Sequence, residues 1–317
     1  MKYFTNKYTK LQEIKKNIIQ AAATLITNAN LKGFFEGKIY KGNTKVACVP
    51  GLNCYSCPGA IGSCPIGSLQ AVIGSKKFNI SYYVFGIIIL IGALFGRLVC
   101  GLLCPFGFVQ DLLYKIPTPK FKIPVKVDRP LRYLKYVILL VFVILLPMFL
   151  TNAFGLGAPY FCKLICPAGT LGGALPLLAK NEGLRSTIGF LFFWKLSILI
   201  VVVALSIFTY RPFCKYICPL GAMYSFFNKI GFYKMEFVPD KCVNCGLCEK
   251  SCKMDINVRA NPNSLECIRC GACTAACRHS ALTTSYAGFA GFGKKKEAKS
   301  VGIKSCASSC RGCKNVE

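Results

Sequence analysis

The sequence predicts an α-helical integral membrane protein with about four transmembrane helices, followed by a small α+β domain. Three observations predict it. Apolar residues make up 54% of the 317 and charged residues only 16%, a balance too oily for a soluble globule of this size. Several runs are nearly free of charge over the length a bilayer needs, about 20 residues. After the last of them come two cysteine runs of identical spacing, typical of metal ligands rather than of a membrane segment.

The runs are taken in order. Three are strong: Ile80 to Gly96, Leu134 to Leu150 and Phe190 to Tyr210. A fourth, Asn17 to Phe35, is weaker, because Asn17, Gln20, Thr24, Thr27, Asn28, Asn30 and Lys32 are costly in lipid. It reads as a marginal span packed against the others, with an interfacial helix as the alternative. The strong runs place the loop from Leu98 to Tyr133 on the same side as everything after Tyr210. That loop carries Lys115, Lys120, Lys122, Lys126, Arg129 and Arg132, whereas the loop on the other side has only Lys163, Lys180 and Arg185. The positive-inside rule then predicts a multi-pass protein of the cytoplasmic (inner) membrane with its C-terminal domain in the cytoplasm. Lys2, Lys7, Lys10, Lys15 and Lys16 agree, and five lysines between Lys38 and Lys77 run mildly against it. No cleavable apolar leader is read in the first residues. The expected division is a membrane domain over 1–232, a cysteine-bearing domain over 233–284 and a basic tail rich in Gly, Lys and Cys over 285–317.

Composition removes several function classes. The net charge of +28 suggests nucleic acid, but no nucleic-acid motif is present, and lysines beside apolar spans serve as topology signals. A single histidine, His279, excludes a haem held by two histidines of this chain. It also leaves hydrolytic chemistry of the Ser/His/Asp type unsupported. Catalytic residues are therefore expected to be none. Any redox group must be held by thiolates or belong to a partner.

The 21 cysteines supply those thiolates. Cys242, Cys245, Cys248 and Cys252 read C-x2-C-x2-C-x3-C, and Cys267, Cys270, Cys273 and Cys277 repeat the spacing 25 residues later. Gly246 and Gly271 follow the second cysteine of each run, where the backbone must turn closely around inorganic sulfide. This resembles the bacterial two-[4Fe–4S] ferredoxin, in which the fourth cysteine of each run crosses to the other cluster. The resemblance implies an α+β ferredoxin-like domain. One cluster would be held by Cys242, Cys245, Cys248 and Cys277, the other by Cys267, Cys270, Cys273 and Cys252. Lys253 and Arg278 stand where the family has proline, and a positive residue beside a cluster favours its reduced form. A pair of zinc sites is the alternative for four-thiolate sets.

A second motif recurs at the span ends. Cys100 and Cys104 lie in CGLLCPFG, Cys162 and Cys166 in CKLICPAG, Cys214 and Cys218 in CKYICPLG. Cysteines four apart share a helical face, and the proline suits the first position of the next helix. The first and third motifs share a longer frame, from Arg97 to Ile116 and from Arg211 to Ile230. Topology puts Cys100, Cys104, Cys214 and Cys218 on one side, where they can meet as four thiolates. Cys162 and Cys166 face the other way, with Cys48, Cys54, Cys57 and Cys64 of CVPGLNCYSCPGAIGSCPIG. A further cluster, redox-active dithiols and simple packing are the three roles open to these pairs. Cys306, Cys310 and Cys313 form C-x3-C-x2-C near the end, with a labile cluster or metal-capturing thiols as readings.

Together, CVPGLNCYSCPGAIGSCPIGSLQ, the C-x3-C-P repeats and the double run are similar to the NapH-like membrane-bound 4Fe–4S ferredoxin-type proteins, a group that takes in NapH, MauN and the NosR-related regulators. The resemblance spans roughly Ile14 to Thr284. It implies four spans and single-electron passage between a cytoplasmic or quinol donor and a membrane or extracytoplasmic redox partner. The expected cofactors are two [4Fe–4S] clusters, with a further cluster as a candidate at the span ends. Expected partners are other redox proteins bearing flavin or haem, quinone, and membrane lipid, with no nucleic acid. The chain reads as an electron carrier within an oxidoreductase complex. The alternative is a redox sensor or a maturation factor for another metalloprotein.

Overall fold

A computed structural model describes residues 6–75, 82–153, 156–186, 188–287 and 289–290. Cys306, Cys310, Cys313 and most of the expected tail lie outside the described residues.

The first helix, Lys7–Thr27, opens on a capping box in which Asn6 and Thr9 bond each other's backbone. It stops at Asn28, and a short helix, Leu31–Glu36, follows. The weak span expected over 17–35 is therefore not one helix. Its asparagines turn the chain: Asn28 donates back to the Thr24 carbonyl at 3.0 Å, and Asn30 donates across to Pro58 at 2.8 Å.

Two helices among the described residues are long and apolar enough to cross a membrane, Val125–Phe149 and Phe190–Phe208. The first begins ahead of the apolar run at Leu134, because Asp128 and Lys135 are held in ion pairs instead of facing lipid. It opens into a π turn at Leu139–Leu145 just before Pro147, whose missing N–H breaks the regular ladder. Of the run expected at Ile80, the described residues form the helix Tyr82–Phe95. These helices turn Ile89, Leu90, Val137, Leu140, Ile200 and Val201 outward, an apolar exterior suited to lipid. Inward they enclose one core in which Ile66, Phe106, Phe161, Phe213 and Tyr224 pack among the span-end cysteines.

The C-terminal part is an antiparallel sheet in the order β1 (Tyr233–Phe237), β2 (Leu282–Tyr286) and β3 (Phe289–Ala290). Met235 pairs with Thr284 in its register. β2 runs on through Tyr286, past the boundary expected at Thr284. Two short helices, Leu247–Lys250 and Ala272–Ala276, lie between the strands.

Buried ion pairs clamp this head onto the helices. Glu266 accepts from Lys135 at 2.5 Å and from Arg97 at 3.1 Å. Asp128 of the long helix takes Lys215 at 2.7 Å and Arg132, and Arg132 also donates to the Met254 carbonyl at 3.3 Å. The first helix adds Glu13 to Lys253 at 2.7 Å. The Glu266 pairs and Asp128–Lys215, unlike the partly exposed Glu13–Lys253, are dry; they stabilise little in themselves, but losing one partner strands the other, which costs about 3–5 kcal/mol. They fix where the head sits.

Candidate metal centres

Backbone geometry builds the two head sites alike. Asn244 and Gly246 in the first cysteine run, and Arg269 and Gly271 in the second, all have positive φ. Asp255 and Ser280, each three residues past its run's last cysteine, share a φ of 53°. A short helix starts directly after each glycine. The 25-residue repeat is thus a repeat of conformation, and it wraps each loop around a hollow.

Cys242, Cys245, Cys248 and Cys277 line one such hollow, with Arg259 and His279 at its edge. Cys252, Cys267, Cys270 and Cys273 lie within electrostatic reach of one another. These are the crossed sets that the ferredoxin resemblance implies. Burial pushes the free Cys252 thiol up to about 12, and Cys270 beside it adds to the effect. Burial pushes Cys267 up to about 11, against the N–H of Arg269. Only a bound cation holds such thiols as thiolates near neutral pH. Among the described residues no three His, Cys, Asp or Glu side chains close on a single metal ion, as a zinc site requires.

Inside the helical part, Cys100, Cys104, Cys214 and Cys218 converge on a third, proximal site beside the head. Cys218 lies within electrostatic reach of the other three. The two motifs interlock crosswise: Arg97 donates to the Cys214 carbonyl at 3.3 Å, and Arg211 donates to the Cys100 carbonyl at 2.6 Å. Both arginines are fully buried. Asp111 balances Arg211 at 2.5 Å and also accepts from Lys16 at 2.7 Å. Gln110 donates to the Cys214 sulfur at 3.1 Å. Gly101, between the two cysteines of its motif, packs so closely on the head that a Cβ there would strike the carbonyl of Ile268. Ile268 follows Cys267, so the proximal site abuts the second head site through a dry contact.

The remaining cysteines separate. Cys54, Cys64, Cys162 and Cys166 line one cavity of about 590 Å³. Cys57 turns away from that cavity, its sulfur 3.5 Å from Asn28 Oδ1, and Cys48 bridges to Ser63. Every described cysteine is a free thiol. Sequence reasoning used Arg97 and Arg211 only to mark a repeat, and it passed over Gln70, Gln110, Lys195 and Glu266. The signal was a glutamine six residues after Cys64 and again six after Cys104.

The 4Fe–4S binding domain family matches the chain three times, over residues 80–124, 136–185 and 191–235, each match holding one C-x3-C-P motif. The chain is 34% identical over 207 residues to Uncharacterized protein MJ0750 of Methanocaldococcus jannaschii, covering 63% of this chain and 77% of that one. It is 29% identical to Regulatory protein NosR of Pseudomonas aeruginosa over 51% of this chain and 21% of that one. It is 27% identical to Putative electron transport protein YccM of Escherichia coli over 54% of this chain and 45% of that one. No solved structure matches the chain. Thiolate cages on helix ends, three 4Fe–4S binding repeats and the extent of the MJ0750 match agree, and the chain belongs to the same family as MJ0750, an iron–sulfur electron-transfer family.

Proposed function

We propose that this chain is a multi-pass membrane protein relaying single electrons between a cytoplasmic or quinol donor and a membrane or extracytoplasmic redox partner, in the manner of the NapH-like proteins. The observation that carries the reading is the contact of Gly101 with Ile268, which sets the proximal quartet directly against the second head quartet. Iron–sulfur clusters held by the three quartets would supply one-electron storage at each. The chain's own residues keep water out and charge in balance. Arg97 and Arg211 put two buried cations at the proximal quartet, where they favour extra negative charge. Glu266, Lys135 and Arg97 hold the head in register.

The loop lysines and arginines from Lys115 to Arg132 support a head that faces the cytoplasm. Four spans require Tyr82–Phe95 and Lys7–Thr27 to cross with the two long helices. The expected domains, 1–232, 233–284 and the tail, follow the same division. A flavin-bearing or haem-bearing partner and quinone complete the proposal.

The test uses proteoliposomes with ferricyanide trapped inside and dithionite added outside, without oxygen. The wild-type chain is expected to speed ferricyanide loss over empty vesicles. The pair Cys100→Ser with Cys214→Ser is expected to abolish that gain while the head's visible absorption persists. No gain from the wild-type chain in either orientation overturns the relay. The likeness to NosR, a regulatory protein, favours one second reading, a redox sensor or maturation factor. It predicts no dependence of electron flux on this chain.

A further inference from the structure

Four segments of this chain share one device: a cysteine with extended backbone, then a proline that opens a helix, then a glycine two residues on. They begin at Cys64, Cys104, Cys166 and Cys218. The ψ angles of the four cysteines fall between 109° and 127°. Only three belong to C-x3-C-P motifs; the fourth, Cys64-Pro65-Ile66-Gly67, is hidden in the segment before the first apolar helix.

The four pair off in a definite way. The Cys104 segment meets the Cys214/Cys218 segment at the proximal site. The Cys64 segment meets the Cys162/Cys166 segment at the 590 Å³ cavity. Each pair contains the same glutamine bridge. Gln110, six residues after Cys104, donates to the Cys214 sulfur at 3.1 Å. Gln70, six residues after Cys64, donates to the Cys162 sulfur at 3.3 Å. Each bridged cysteine follows a fully buried phenylalanine, Phe213 or Phe161. The distal set is thus a second copy of the proximal cage, with Cys54 in the place of the fourth thiol.

The distal cage is shaped for sulfur-rich, negatively charged contents. Cys64 is within electrostatic reach of Cys54 and Cys166, and Cys162 of all three. A Cβ on Gly67 would stand 4.0 Å from the Cys162 sulfur, and one on Gly169 would stand 3.7 Å from the Cys54 sulfur. Both glycines thus lie beside the partner segment's thiol. No carboxylate or histidine lines the cavity, but Lys195 does. Lys195 lies within the apolar helix Phe190–Phe208 and has no ion-pair partner among the described residues. A half-buried lysine at the cavity wall favours anionic contents, and the thiolates of a bound cluster would provide them.

From these observations we infer that Cys54, Cys64, Cys162 and Cys166 hold a fourth iron–sulfur cluster, counterbalanced by Lys195. On binding, four S–H groups release four protons to solvent and four Fe–S bonds form to the cluster. In use, one electron leaves the proximal site, which is oxidised, and one arrives at the distal site, which is reduced. The path is short. Leu52 lines the distal cavity while its N–H faces the Cys104 sulfur, and a Cβ on Gly51 would come within 2.8 Å of Cys104 Cα. Buried Tyr224 lies within reach of Cys64, Cys100 and Cys104, its hydroxyl bonded to Pro50 at 3.1 Å. The site stands on its own geometry; only its use rests on the relay.

The test is iron and acid-labile sulfide per chain on the full-length protein, purified in detergent without oxygen. About sixteen irons are expected for the wild type and about twelve for Cys162→Ala with Cys166→Ala. A wild type with about twelve irons overturns the distal site and leaves the relay; about eight overturns both. Because the double variant can fail to fold, the wild type is also denatured anaerobically, alkylated and mapped by mass. Free Cys54, Cys64, Cys162 and Cys166 are expected, and disulfides among them overturn the proposal. In Lys195→Met, one midpoint potential is expected to fall while the others hold. Four unmoved potentials remove Lys195 from the site.

Discussion

The proximal and distal quartets are the same cage in different electrostatic surroundings. Both use a Cys-Pro-x-Gly helix start and a glutamine donating to a cysteine sulfur. Around the proximal quartet, the third residue of each glycine motif faces a guanidinium: a Cβ at Gly107 would lie 3.3 Å from Arg211, and one at Gly221 would lie 3.4 Å from Arg97. Around the distal quartet a Cβ at Gly67 would face the Cys162 sulfur, and one at Gly169 would lie 3.7 Å from both the Cys54 sulfur and Lys195 Nζ, the cation that lines the cavity among the described residues. Charge next to a cluster moves its potential, and the number of hydrogen bonds to sulfur moves it further. Exchange of the counter-ions around one kind of thiolate cage is a physical route to two sites of different potential in one chain.

The comparison breaks most decisively at the cysteines. Cys100→Ser with Cys214→Ser is expected to remove about four irons per chain and all transfer beyond the head, leaving the two head clusters and the distal one by their paramagnetic signals. Retention of every iron would show that the proximal cysteines are structural.

Next in size are the counter-ions. Arg211→Gln leaves Asp111 with Lys16 alone in a buried setting, so a destabilisation of about 3–5 kcal/mol is expected in thermal unfolding. Glu266→Gln is expected to cost a similar amount, about 3–5 kcal/mol, because it strands both Arg97 and Lys135, and to expose the head to limited proteolysis. Lys195, half-buried and without an ion pair to another side chain among the described residues, is expected to matter less, so Lys195→Gln should lower the unfolding midpoint by less than Arg211→Gln. An equal loss for Arg211 and Lys195 variants would erase the contrast.

Smaller effects sharpen the likeness. Gln110→Leu and Gln70→Leu each remove one N–H to sulfur bond, and each is expected to cost about 1 kcal/mol and to lower one midpoint potential. Divergent shifts in the two variants would show that the cages are not equivalent. Cys57→Ser, outside both cages, is expected to change iron content by nothing measurable, and a loss of iron there would move the distal ligand set.

The head was legible because its ligands are local. Spacings of two and three residues, with a glycine after the second cysteine, already specify a loop that wraps a cubane, and the structure repeats that loop down to the positive φ of Asn244 and Arg269. The long apolar helices were legible for a similar reason: lipid acts on every residue of a run at once. The weak span was read less well, since Asn28 closes the helix by bonding back to Thr24 and Asn30 redirects the chain by bonding across to Pro58, and hydropathy sums do not register that.

The amino-acid sequence by itself determined which residues can ligate, how the head loops turn, and that helices begin at the prolines after Cys104, Cys166 and Cys218. Which thiols share a cage was decided only by the tertiary structure. Cys64 joins Cys162 across 98 residues, and Cys104 joins Cys214 across 110, through packing around Phe161 and Phe213. Backbone propensity acts over a few residues, whereas the partner of a cysteine in a helical core is set by which helix faces become neighbours when their apolar surfaces are buried.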